Sequence, residues 1–208
     1  QRTALGAPVF IIARSFDVNR PGTTPEQLKG AVIGGTLKQG ILRVGDSLEI
    51  KPGLIVKEAN QYHYKTIKTH ILKLFKGSCE VQTLTPGGST SIETGLDMSL
   101  GKSDAFAGCI ASHIGALQEL TTSVRIRYTL FPELFGKTGA QKVDPLKVSE
   151  LILLSVNTTT TGGIIRKLSP KEIQVSLKIP IVPMPGESIG IARNINNHWR
   201  LIGYGEIV

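Results

Sequence analysis

Short apolar runs cut by turn residues dominate this chain. Val9 to Ile12 is compact and apolar, and Ala31 to Ile33 leads into Gly34-Gly35. Ile41-Leu42, Val44 and Leu48 to Ile50 follow, broken at Gly45-Asp46, with a stop at Pro52-Gly53. Thr66 to Phe75 reads as a longer strand, Pro86 to Gly88 as a turn, Ser91-Ile92 and Ala107 to Ile114 as further runs. In the second half, Val124, Ile126, Tyr128 and Leu130 alternate with Arg125, Arg127 and Thr129, and Ile173, Val175, Leu177 and Ile179 with Gln174, Ser176 and Lys178. Period-two alternation marks a half-buried strand. Leu151 to Val156 reads as a buried strand, Pro180, Pro183 and Pro185 as a stiff connection, and Ile189 to Ala192 and Trp199 to Val208 as the last strands. No stretch carries a convincing helical period. Strands of this length at such spacing predict barrels or sandwiches.

Composition narrows the picture. The chain has 208 residues, 40% of them hydrophobic but only 5% aromatic, with 23 Gly and 11 Pro. A core is therefore available, built on Val, Ile and Leu and joined by many turns. A shift near Gly115 to Thr122 suggests two units, 7–117 and 118–208, with residues 1–6 outside any strand as a linker. No apolar run approaches the ~20 residues of a membrane-spanning helix. Net charge is +8, split evenly: 13 Lys/Arg against 9 Asp/Glu up to residue 118, and 11 against 7 beyond it. A spread excess without a basic tail suits a polyanion such as RNA, while composition alone favours an ordinary basic surface.

Catalytic chemistry finds little support. Gly95-Leu96-Asp97-Met98-Ser99-Leu100-Gly101-Lys102-Ser103 approaches a phosphate-binding loop, but five residues separate the glycines where four are needed. The spacing sets which N–H groups converge on the phosphates, so one extra residue spoils the nest. Cys79, Cys109, His63, His70 and His113 show no zinc-ligand spacing. No Gly-x-Ser-x-Gly elbow occurs. What remains is a set of cations on strands and loops, with Arg125 and Arg127 sharing one face.

The stretch from Lys29 to Ile50, with its Gly34-Gly35 and Val44-Gly45-Asp46 turns, resembles the second domain of translational GTPases. Ile12-Ala13-Arg14-Ser15-Phe16-Asp17-Val18-Asn19-Arg20-Pro21-Gly22 is more specific. Together with Ile50 to Gly53, Pro86 to Gly88, Ser99 to Gly108 and His198-Trp199-Arg200-Leu201-Ile202-Gly203-Tyr204-Gly205, it resembles the gamma subunit of eukaryotic and archaeal translation initiation factor 2, in order from about residue 7 to 208. Lys57 to Lys65 departs from the family pattern, and Tyr204 holds an aromatic position often taken by Trp.

The resemblance implies an all-β fold of two consecutive antiparallel β-barrels, of the domain 2 and domain 3 type. It implies no cofactor in this chain, with GTP and magnesium held by a GTP-binding domain outside it. It implies a cytoplasmic factor with alpha and beta subunits, initiator tRNA, the small ribosomal subunit and an assembly chaperone on domain 3 as partners, and no membrane. On loop position and charge sign, Arg14, Lys38 and Arg43 are expected towards the tRNA end and Asp17 and Asn19 towards the alpha subunit. Arg193 and Arg200 are expected to face RNA or the chaperone. The rival readings are the barrels of a selenocysteine-type or other elongation factor, which Arg-Ser-Phe-Asp-Val-Asn disfavours, and a β-barrel hydrolase, which lacks an acid–base set.

Overall fold

Apolar and polar positions alternate because nearly every segment is a strand with one face on a core. The computed structural model describes residues 3–59, 61–134 and 141–208, and the chain forms two units, Gln1–Leu117 and Gln118–Val208.

The first unit contains β1 (Val9–Phe16), β2 (Val32–Gln39), β3 (Leu42–Arg43), β4 (Ser47–Glu58), β5 (Gln61–Lys76), β6 (Cys79–Val81), β7 (Thr83–Leu84), β8 (Thr90–Thr94) and β9 (Ile110–His113). The sheet runs β4-β9-β1-β2-β8-β5, and a further β4–β5 pairing closes it into an antiparallel six-stranded barrel. Strand β6 extends β5, and β3 pairs with β7. Closure removes the exposed edge of an open sheet. Phe10, Ile12, Ile33, Leu37, Leu48, Ile50, Ile71, Leu74, Ile92 and Phe106 fill the interior. Each such burial contributes roughly 1.5–3 kcal/mol. Gly35 is required where β1 and β2 meet, since a Cβ there would strike the Ile11 carbonyl oxygen.

The second unit contains β10 (Thr121–Leu130), β11 (Leu151–Val156), β12 (Thr159–Leu168), β13 (Glu172–Ile181), β14 (Ser188–Ile195) and β15 (His198–Ile207). They close in the order β10-β13-β12-β11-β14-β15. Val124, Ile126, Ile152, Leu154, Ile165, Ile173, Val175, Ile191 and Ile202 form its core. The two barrels match the domain 2 and domain 3 type. The described helices are 3-10 segments, Pro25–Gln27 and Met98–Asp104, the latter kinked at Lys102 and Ser103.

Gly34-Gly35 is not a turn, since both residues lie inside β2, and four further local expectations are corrected. Pro52-Gly53 does not end a strand: β4 continues to Glu58, and its pairing with β5 jumps from Ile50↔Ile67 to Leu54↔Lys65. That bulge accommodates Pro52, which lacks an N–H, and Gly53 at φ +87°. Strand β5 accordingly begins at Gln61 rather than Thr66. Pro180 lies within β13, where pairing with β10 skips from Ser123↔Ser176 to Thr121↔Ile181. Leu151–Val156 is half-buried, with Leu151 and Ser155 exposed. Gln1 and Arg2 of the expected linker lie outside the described residues. Thr3 bridges to Gln39, and its carbonyl accepts from the Gly40 N–H at 2.9 Å.

Candidate nucleic-acid interface

The end of β1 sets Arg14 and Phe16 outward, on either side of buried Ser15. Strand β2 runs alongside, pairing Arg14 with Gly34, and β8 lies beyond it, pairing Ser91 with Gly34 and Thr90 with Gly35. The result is an open groove of ≈ 380 Å³ with a glycine floor, Arg14 and Phe16 on one wall and Ser89, Thr90 and Ser91 on the other. Phe16 is 38% exposed. Its ring edge lies 3.6 Å from where a Cβ on Gly34 would stand.

Arg14 is held from below. Its Nε–H donates to Asp104 Oδ1 at 2.8 Å, and the Ser15 backbone N–H donates to the same oxygen at 3.0 Å. The Arg14 hydrogen bond, more than any other influence, holds the Asp104 carboxyl below its usual range, and that bond together with the Asp104 charge raises the guanidinium's own pKa. Arg14 therefore stays cationic and keeps its remaining donors for a ligand. A cation beside a half-exposed aromatic ring, over a backbone floor flanked by hydroxyls, offers a phosphate contact and a stacking face.

Lys38 and Arg43 do not join this groove. Lys38 is half-buried four residues beyond Gly34 on β2, about 13 Å along the strand. Arg43 is exposed on β3, past the Gly40 corner, with its backbone N–H donating to Asp46 Oδ2 at 2.8 Å.

Asp17 and Asn19 organise their own loop. Asp17 Oδ1 accepts from the Asn19 N–H at 2.9 Å and from its Nδ2 at 2.7 Å. Those bonds, the backbone one foremost, lower the Asp17 pKa, and Lys102 Nζ at 3.8 Å adds to the effect. Asn19 in turn grips Lys29, donating to its carbonyl at 2.8 Å and accepting from its N–H at 2.7 Å. The side chain thus stands in for a strand partner and closes the loop between β1 and β2. The Gly95–Ser103 segment serves the same region. Asp97 caps its 3-10 turn by accepting from the Ser99 N–H at 2.8 Å, and Lys102 points at Asp17 rather than into a phosphate nest. These residues do not fit a nucleotide phosphate.

Arg193 is committed within the second barrel. Its Nε bonds Glu150 Oε1, its Nη2 reaches Glu150 Oε2 at 3.1 Å and the Pro145 carbonyl at 3.0 Å, and its Nη1 donates to the Asp144 carbonyl at 2.9 Å. Arg193 and Glu150 side chains are each 16% exposed. Arg200 is the cross-strand partner of Arg193, with its Nε buried and unbonded. Sequence reasoning quoted Phe16 inside a motif without seeing that it is exposed. It did not find Asp104 or Glu150, which lie ninety and forty-three residues from their arginines. Asp-to-Arg pairing at such distance leaves no sequence signal.

Two successive closed antiparallel barrels define a paired β-barrel module of the domain 2 and domain 3 type. Residues 122–207 match the family described as initiation factor eIF2 gamma, C terminal. Over 208 residues the chain is 41% identical to translation initiation factor 2 subunit gamma of Methanococcus maripaludis, covering 100% of this chain and 51% of that relative. The gamma subunits of Pyrococcus abyssi and Aeropyrum pernix are each 42% identical over 96% of this chain and 49% of their own length. The chain belongs to the translation initiation factor 2 gamma-subunit family, and it spans about half the length of the curated relatives it matches.

Proposed function

We propose that this chain is the tRNA- and subunit-binding platform of a factor that brings methionyl initiator tRNA to the small ribosomal subunit in a GTP-dependent heterotrimer. The observation that carries the reading is the Arg14–Phe16 groove on a barrel whose whole sequence aligns with gamma subunits. The 3′ end of a tRNA is single-stranded, and a ring for a base with a fixed cation for its phosphate is what such an end needs. The role is passive: a rigid barrel presents the contacts, and nucleotide hydrolysis belongs to a GTP-binding domain outside these residues, with GTP and magnesium there. This chain acts as a binding module rather than an enzyme, and it works in the cytoplasm. No helix among the described residues is long and apolar enough to cross a membrane.

The loop closed by Asp17 and Asn19 is the proposed alpha-subunit dock. The clamp makes its role one of presentation: Asp17 and Asn19 shape the loop, and exposed Val18 and Arg20 between and beside them make the contact. The beta subunit and the assembly chaperone complete the partner set. The test is co-purification of this chain with the candidate alpha subunit, with Asn19→Ala as the variant. Association at low salt, lost with Asn19→Ala, supports the dock; no association at low salt removes it.

A further inference from the structure

The positive charge that is spread evenly along the sequence is not spread evenly over the second barrel. Strands β10, β12 and β13 are neighbours in the closed sheet. With the turn joining β12 to β13, they hold Arg125, Arg127, Arg166, Lys167, Lys171 and Lys178, against Glu172 as the sole carboxylate. All six cations are exposed. Register then places Arg125 opposite Gln174, and Gln174 opposite Lys167, in one row across three strands. Neighbouring strands lie about 4.8 Å apart, so the two cations flank the amide about 10 Å from each other. An open groove of ≈ 380 Å³ is lined by both cations and Gln174, and also by Glu172, Leu168 and Ile173.

Arg127 sits one row away and is engaged, bonding Glu206 at 2.7 Å and lying 4.0 Å from Glu172. Arg125 and Lys167 have no acidic partner among the described residues. Gln174, between the cations, bonds Ser123 of the neighbouring row at 3.2 Å and leaves further donors and acceptors at the surface.

We infer that the row Arg125–Gln174–Lys167 is a second RNA contact, gripping the sugar–phosphate backbone of a helical segment. The inference rests on the proposed RNA-carrier role and assigns it a surface apart from the β1 groove. A line of cations crossing several strands, with hydrogen-bonding side chains between and no large exposed aromatic, tracks phosphates without reading bases. A protein partner would need a desolvated apolar anchor at the centre. Here Gln174 holds the middle of the row, and the groove's apolar residues are Ile173, which is buried in the core, and Leu168, which is 36% exposed.

The test is fluorescence anisotropy with a short blunt RNA duplex, lacking any single-stranded or aminoacylated end, across a range of NaCl. The Arg125→Ala/Lys167→Ala double variant should lose about tenfold or more in affinity, and its salt slope should shrink by about 2. Arg127→Ala, whose guanidinium already faces both Glu206 and Glu172, should stay near the parent. On the unaltered chain, duplex should protect Lys167 but not Lys147 from acetylation, a readout that needs no variant to fold. Unchanged duplex affinity in the double variant, equal loss in Arg127→Ala, or absent Lys167 protection overturns the assignment. So does polyglutamate competing as well as RNA per charge, which would make the partner an acidic protein. If the unaltered chain bound duplex but no single-stranded acceptor end, the groove reading would fall and this one would stand; binding of the acceptor end without duplex would do the opposite.

Discussion

Arg14 and Asp104 meet at 2.8 Å across ninety residues of sequence. The contact ties β1 to the end of the Met98–Asp104 segment and fixes the cation at the groove wall. Asp104 stands at φ +54° to do so, an uncommon backbone for a residue with a side chain. Asp104→Asn removes the charge while keeping the shape. The variant should fold as the parent does and bind an RNA 3′ end several-fold more weakly, because Arg14 becomes free to move. Unchanged affinity with a parent-like melting curve would show that Arg14 needs no fixing.

Acid should act on this region late. Asp17, Asp97 and Asp104 all have pKa values lowered by hydrogen bonds to their ionised forms. A carboxylate with a depressed folded-state pKa contributes stability that is present above its unfolded value of about 3.9 and is lost as pH falls through the folded value. The three carboxylates should therefore titrate below the ordinary value of about 3.9, and the loop between β1 and β2 should lose its structure only as they do. Amide resonances of Ser15, Asn19 and Ser99, followed by NMR from pH 6 to 2.5, check this. Titration of all three near the ordinary carboxylate range would contradict it.

Gly34 and Gly35 separate stability from binding. An added methyl at Gly35 meets the Ile11 carbonyl, so Gly35→Ala should cost about 1–3 kcal/mol through displaced strands. The same methyl at Gly34 meets Phe16 at 3.6 Å, an ordinary contact, so Gly34→Ala should leave the melting temperature within a degree or two. It should still weaken RNA binding, because it raises the groove floor. Denaturant melts and anisotropy on both variants decide.

Arg193 is predicted to matter for folding and not for RNA. Arg193→Ala leaves the Glu150 carboxylate and two carbonyls without their donor in a site that is 16% exposed. A loss of about 2 kcal/mol in second-barrel stability is expected, with duplex affinity unchanged in the folded population.

The thiols should differ sharply. Burial pushes the Cys109 thiol up to about 11, whereas Cys79 is exposed. At pH 8 a thiol reagent should label Cys79 alone in the native chain and both after denaturation.

Strand identity was legible where one face is buried, as along Val124–Leu130, because burial writes a two-residue period. Gly34-Gly35 reads as a turn in sequence, yet both lie inside β2, and only at Gly35 does the backbone come too close for a side chain. Strand ends were less so. Pro52-Gly53 looks like a stop in one dimension, yet β5 supplies a partner beyond it and a bulge absorbs the proline. The site was the least legible part. Arg14, Lys38 and Arg43 share a sign but not a place, and Arg193 carries a charge that Glu150 consumes. Charge sign is local, whereas the availability of a charge depends on residues far along the chain. The Arg125–Lys167 row needed strand register to appear at all.

The central claim is that this chain is a passive carrier of a tRNA acceptor end. It is tested most directly by titrating methionyl initiator tRNA, labelled near its 3′ end, into the chain at low salt, beside Arg14→Ala and Phe16→Ala. Saturable, salt-dependent binding that falls about tenfold in either variant is the predicted result. Equal binding by all three proteins, or GTP turnover by this chain alone, would contradict it.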